Sequence, residues 1–223
     1  ATYSGHERVV ELLIRHGAEI NLQSSIGNNA LMLAAQEGHE RVVDLLLQRG
    51  AEINLQRSEG GTALMYAARS GHERVVELLI RRGAEVNLQC SDVGNTALMN
   101  AAGNGHERVI DLLIRHGADV NLQRTDGGTA LMFAACYGHE RVVHLLIRHG
   151  AEISLLNIDG SSVLMIAARS GHERVVELLL QRGAEINLQS SISNTALMLA
   201  AQEGNARVVD LLIRHGAEVN LQS

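Results

Sequence analysis

The sequence predicts an all-α solenoid of tandem helix-turn-helix units joined by hairpin-like loops. Self-comparison carries the prediction: a Gly-His pair or its counterpart begins at Gly5, Gly38, Gly71, Gly105, Gly138, Gly171 and Gly204, at steps of 33, 33, 34, 33, 33 and 33 residues. A Gly-Ala pair at Gly17, Gly50, Gly83, Gly117, Gly150, Gly183 and Gly216 keeps the same step. Composition agrees, since 46% of the 223 residues are hydrophobic while Pro and Trp are missing and Phe and Tyr number one and three. Such a core has to be assembled from many similar aliphatic contacts.

The first element of a unit is a short helix. In the stretch from Thr62 to Ser70, the Thr62 hydroxyl is placed to accept a backbone N–H as N-cap, and Gly71 suits the left-handed position past the helix end. The paired alanines Ala67 and Ala68 leave room for close helix contact. The second helix is expected from His72 to about Arg82, with Val75, Val76, Leu78, Leu79 and Ile80 covering a broad apolar face. Glu73 near its start and Arg81 and Arg82 near its end complement the helix dipole, and Gly83 stops it. The residues Ala84 to Gln89 and the Gly/Asn/Ser-rich stretch that follows read as an extended, hairpin-like connection.

No unit of this kind can hide both apolar helix faces alone, so neighbours must stack. The expected organisation is one array over 1–223: a partial first repeat at 1–23, then 24–56, 57–89, 90–123, 124–156, 157–189 and 190–223. The 34-residue step has a local cause, because Cys90-Ser91-Asp92-Val93-Gly94 occupies the place of Arg57-Ser58-Glu59-Gly60 one repeat earlier. Loops accept such an insertion at small cost.

Thr-Ala-Leu-Met, then x-Ala-Ala-x-x-Gly-His, then Val-Val-x-Leu-Leu and Gly-Ala-x-Ile/Val-Asn together resemble the ankyrin repeat, over essentially the whole chain. The helix-opening Thr-Pro-Leu-His signature of that family is altered here. Ala63, Ala97, Ala130 and Ala196 stand where Pro is usual, and Met32, Met65, Met99, Met132, Met165 and Met198, all six Met of the protein, stand where His is usual. Pro preorganises a helix start, so its replacement loosens the first turn, and Met exchanges a polar link for an adaptable apolar one. The resemblance also extends to Asn21, Asn54, Asn87, Asn121, Asn187 and Asn220, which match a hairpin asparagine hydroxylated in some ankyrin proteins. The residues themselves favour a turn-stabilising Asn, and Ser154 breaks the series.

Several function classes are disfavoured. All 19 basic residues are Arg and the net charge is −6, which does not resemble the footprint of a nucleic-acid binder. No apolar run approaches the ~20 residues of a membrane span. Two cysteines, Cys90 and Cys136, do not make a disulfide framework, which points to an intracellular setting, cytoplasmic or nuclear. Most of the eleven histidines recur at helix ends, where capping is the expected role. Zinc ligands must converge within about 2.0–2.3 Å of one ion, whereas stacked helices lie roughly 8–10 Å apart, so no metal is expected. The recurrent carboxylates at Glu11, Asp44, Glu77, Asp111, Glu177 and Asp210 stand four residues before Arg or Gln and read as solvated i,i+4 pairs. No phosphate-cradling loop and no nucleophile-base arrangement stand out, so neither enzymatic activity nor a cofactor is expected.

Function is then expected where the repeats differ. The last positions of the first helix read Gln36-Glu37, Arg69-Ser70, Gly103-Asn104, Cys136-Tyr137, Arg169-Ser170 and Gln202-Glu203, and the loop tips vary as well. The ankyrin resemblance implies that these places line a concave groove that contacts a protein or peptide partner. The candidate binding residues are Arg69, Asn104, Cys136, Tyr137 and Arg169 on the helices, with Glu59, Asp92, Asp126 and Asp159 at the loops. Tyr66 and Phe133, one residue before the Ala-Ala pair, are further candidates for which packing is the stronger reading. Aromatic and Arg side chains dominate many interface hot spots. The alternative is a structural, self-stacking spacer of synthetic or recently duplicated origin, suggested by the near identity of 194–202 with 28–36. The apolar pattern of the first and last helices matches the interior ones, so stacking on further repeats or on other copies is also expected.

Overall fold

The computed structural model describes residues 1–57 and 60–221. Among them it contains thirteen α-helices and no strand: α1 (Glu7–Arg15), α2 (Ala30–Gln36), α3 (Glu40–Gln48), α4 (Ala63–Ser70), α5 (Glu73–Arg81), α6 (Ala97–Gly103), α7 (Glu107–Arg115), α8 (Ala130–Cys136), α9 (Glu140–Arg148), α10 (Val163–Arg169), α11 (Glu173–Gln181), α12 (Ala196–Gln202) and α13 (Ala206–Arg214). The chain forms two compact units, one of Ala1–Ala101 with Arg108–Asp119 and the other of Ala102–Glu107 with Val120–Ser223. In the first, α2 packs on α3 and α4 on α5 within their repeats. Successive repeats meet through α2 on α4 and through α1, α3 and α5 in sequence. The second unit repeats the scheme, with α8, α10 and α12 forming one row and α9, α11 and α13 the other.

The even-numbered helices through α12 start at a side-chain cap. Thr62 Oγ1 accepts the Met65 N–H at 3.3 Å, and Thr96, Thr129, Ser162 and Thr195 make the same bond, with Asn29 Oδ1 taking the role at 2.8 Å. Gly71 closes α4 in the left-handed region at φ +78°, as the sequence suggests. Because Thr129 is buried, Thr129→Ala leaves the Met132 N–H without its acceptor. The expected result is a loss of about 1 kcal/mol of stability, read as a lower midpoint in urea denaturation.

The core is aliphatic and regular. Ala34, Ala35, Ala67, Ala68, Ala101, Ala102, Ala134, Ala135, Ala167 and Ala168 are wholly buried, so each paired alanine brings neighbouring helix backbones together. Met32, Met65, Met99, Met132 and Met165 are buried beside them. Val43, Val76, Ile110, Val143 and Val176 fill the second helices, together with Leu46, Leu79, Leu113, Leu146 and Leu179.

The histidines behave differently from the expected capping. His39, His72, His139 and His172 sit at the N-cap positions of α3, α5, α9 and α11, but none caps its own helix with its side chain. Their Nε2 atoms instead bond the carbonyls of Tyr3, Gln36, Gly103 and Cys136 at 2.9–3.0 Å, one repeat back. Asn205 serves in place of His and donates from Nδ2 to Ala168 O and Arg169 O at 3.0 and 2.8 Å. These links supply the polar connection between repeats that the buried Met residues cannot. Capping does hold for His16, His116 and His215, whose Nδ1 atoms reach the carbonyls four residues before them at 2.8–2.9 Å.

The hairpin asparagines also join repeats. Asn21 Oδ1 accepts the Glu52 N–H at 3.0 Å while its Nδ2 donates to the Glu52 carboxylate at 3.1 Å. Asn54 with Glu85, Asn121 with Glu152 and Asn187 with Glu218 repeat the pair of bonds. Asn87 accepts from the Asp119 N–H and donates to the Gly117 carbonyl. Gln23, Gln56 and Gln123 add bonds to the Gln56, Gln89 and Leu156 carbonyls at 2.9–3.1 Å. The inserted residue is absorbed in its loop: Cys90 N bonds Asn95 O, where Arg124 N bonds Gly128 O and Asn157 N bonds Ser161 O.

Candidate functional site

Each unit carries a depression built from the variable positions. In the first unit, a cavity of about 150 Å³ is lined by Tyr66, Arg69 and Asp92 together with Arg57, Cys90, Asn95 and Asn100. Tyr66 and Arg69 come from successive turns of α4, while Asp92 and Asn95 come from the loop that precedes α6. Arg57 Nη1 donates to the Tyr66 hydroxyl at 2.8 Å, which fixes the ring of a half-buried side chain. The depression therefore presents two guanidinium groups, a phenol, a carboxylate and two carboxamides.

In the second unit, a cavity of about 180 Å³ is lined by Asp126, Phe133, Cys136, Tyr137, Asp159 and Arg169, with Asn157 and Ile166 among the other residues around it. Tyr137 is 60% exposed at the end of α8, and its ring lies 6.4 Å from that of His139. It also rests near Gly103, where an added Cβ would lie 3.6 Å from its ring. Phe133 is half-buried, with the Arg124 guanidinium 5.4 Å from its ring centroid. That stacking, worth about 0.5–1 kcal/mol where solvent reaches it, holds both side chains. Arg124 Nε also pairs with Asp126 Oδ1 at 2.7 Å, and the same oxygen accepts the Gly128 N–H at 2.9 Å. The Asp126 carboxylate is thus fixed in place, whereas Asp159 is exposed and oriented through the Asn157 carboxamide oxygen that accepts its N–H.

Nine of the eleven sequence candidates fall into these two depressions. Asn104 is exposed and lines neither, and Glu59 lies outside the described residues. The residues that sequence reasoning passed over are Arg57, Arg124 and Asn157. They occupy one repeat position that reads Ser24, Arg57, Cys90, Arg124, Asn157 and Ser190. It varies as much as the loop tips, which is the signal that could have found it.

The charged second helices form ladders on the surface. Arg15 pairs with Glu11 at 2.7 Å and Arg214 with Asp210 at 2.5 Å, and Arg81 and Arg115 pair in the same way with Glu77 and Asp111. Sequence reasoning did not find the further pairs that cross between repeats, Arg49 with Glu11 at 3.2 Å and Arg82 with Asp44 at 2.5 Å. The Arg49 hydrogen bond and the neighbouring Arg15 charge hold the Glu11 carboxyl below the ordinary carboxylate range. Exposed pairs of this kind add little stability singly. Among the described residues no three His, Cys, Asp or Glu side chains gather to hold a metal ion, and no helix is long and apolar enough to cross a membrane.

Paired helices stacked at a fixed step define a tandem-repeat solenoid. The ankyrin-repeat family model matches the chain three times, over residues 1–90, 87–157 and 150–223, and the chain belongs to that family. Repeats of this family are generally protein–protein interaction modules and are typically non-catalytic. A comparison with curated proteins finds no match.

Proposed function

We propose that residues 1–223 act as a non-catalytic scaffold for protein partners, with the depression of each unit a contact site in its own right. The observation that carries this reading is the gathering of Asp126, Phe133, Cys136, Tyr137, Asp159 and Arg169 around a single cavity. A regular array has no packing reason to place its most exposed aromatic side chain beside its variable charges. Tyr137 supplies a large, rigid contact, Arg169 a planar donor, and Asp126 and Asp159 an acidic rim that favours basic groups on the partner. In the first unit Arg57, Arg69 and Tyr66 offer donors beside the Asp92 carboxylate, a mixed set that suits the main-chain carbonyl and N–H groups of a partner segment.

The test is capture of a partner by the intact chain, repeated with Tyr137→Ala and Arg69→Ala. Both side chains are exposed, so the variants keep their thermal midpoint while each weakens retention of the captured protein by about tenfold or more. The two substitutions probe the depressions separately. Unchanged binding by both variants overturns the reading.

A further inference from the structure

The hairpin staples described above have one break. Ser154 stands where Asn21, Asn54, Asn87, Asn121 and Asn187 stand in other repeats, and Leu156 stands where Gln23, Gln56 and Gln123 stand. The two substitutions fall at the same junction, between the hairpins that begin at Ala151 and Ala184. Among the described residues no hydrogen bond joins Ser154 to Glu185. The Glu185 amide N–H and carboxylate, whose counterparts at Glu52, Glu85, Glu152 and Glu218 are engaged by Asn, have no partner among the described residues. Where the staple would run there is a cleft of about 330 Å³, walled by Ile153, Leu156, Leu164 and Leu188 and bordered by Ser154 and Glu185. That volume lies at the small end of the range of ligand sites.

We propose that this cleft binds a peptide segment that presents a carboxamide next to an aliphatic side chain. The chain itself shows what satisfies such a rim. At each intact junction a carboxamide oxygen accepts the hairpin N–H, and its NH2 donates to the acidic side chain or to the Gly carbonyl two residues before it. Gly183 supplies the equivalent carbonyl and lines the cleft. Charge complementarity points the same way, because the Glu185 carboxylate attracts donors and repels a carboxylate in the same place. An aliphatic neighbour then covers the Leu wall and removes apolar area from water. The site is separate from the two depressions and does not depend on their binding a partner.

The chain supplies the probe. An acetylated and amidated Ala-Glu-Ile-Asn-Leu-Gln peptide, the sequence of residues 184–189, is titrated into isotope-labelled full chain while the Glu185 and Leu188 amide resonances are followed. The expected result is a saturable shift of both. Ser154→Asn combined with Leu156→Gln restores the staple pattern of the other repeats and keeps the fold, and it should weaken the titration at these resonances by about tenfold or more. Replacing Asn by Asp in the peptide should abolish it. No shift in the unaltered chain, or the same affinity in the restored variant, overturns the proposal. Equal binding of the Asp peptide overturns the carboxamide requirement.

Discussion

Leu146→Ala lowers the stability of its region by about 2–5 kcal/mol. Leu146 is wholly buried in α9, which packs on α8 within its repeat and on α11 of the next. Truncation removes the transfer energy of three methyl or methylene-scale groups and leaves a cavity that rigid helix backbones cannot close. Stability in a stacked array is a sum of local and nearest-neighbour contributions. The damage should therefore appear as lost hydrogen-exchange protection in α8, α9 and α11, ahead of global unfolding. Leu13 occupies the same repeat position in α1 but is 52% exposed. Leu13→Ala should change stability by only about 0.5 kcal/mol, so an equal effect at both sites would show that packing between repeats is not what Leu146 contributes.

Gly138→Ala is expected to cost about 2–3 kcal/mol, from two sources. Gly138 has φ +74°, a region that costs a residue with a Cβ roughly 1–2 kcal/mol. An added Cβ would also lie 2.5 Å from Nδ1 of His172, so the ring must leave the Cys136 carbonyl that it bonds at 2.9 Å. Loss of that bond adds about 0.5–1.5 kcal/mol. Gly204 has the same backbone conformation, φ +72°, with nothing within 4 Å of its would-be Cβ. Gly204→Ala then carries the backbone cost alone. Denaturation of the two variants, with exchange at α11 as the local readout, separates the latch from the strain, and equal losses would mean that the latch contributes nothing.

The repeat period, both helices, the Thr caps and the glycine stops were legible in the sequence because each is local. A hydroxyl three residues before a backbone N–H, or a Gly after an apolar run, carries its meaning within one turn of helix. What joins one repeat to the next was less legible. His39 and its equivalents stand at helix starts and so read as caps, but the rings turn toward a carbonyl 36 residues away. Asn21 reads as a turn residue for the same reason, although its partners belong to the following hairpin. The candidate site followed the same division: Tyr137 and Arg169 were marked by variation on a helix, whereas Arg57 and Arg124 take their role from the half-buried rings of Tyr66 and Phe133 that they contact. No local pattern encodes that contact.

The side-chain bonds between repeats run over short stretches of chain, from the 29 residues between Asn121 and Gly150 to the 38 between Glu11 and Arg49. During synthesis a repeat can therefore be finished as soon as its successor has left the ribosome, without waiting for any distant segment. Each completed pair then offers a folded template to the residues that follow. At Ser154 that hand-over proceeds without the Asn bonds between hairpins, and the His172 latch and the Ile158 N–H bond to the Asp126 carbonyl take it over.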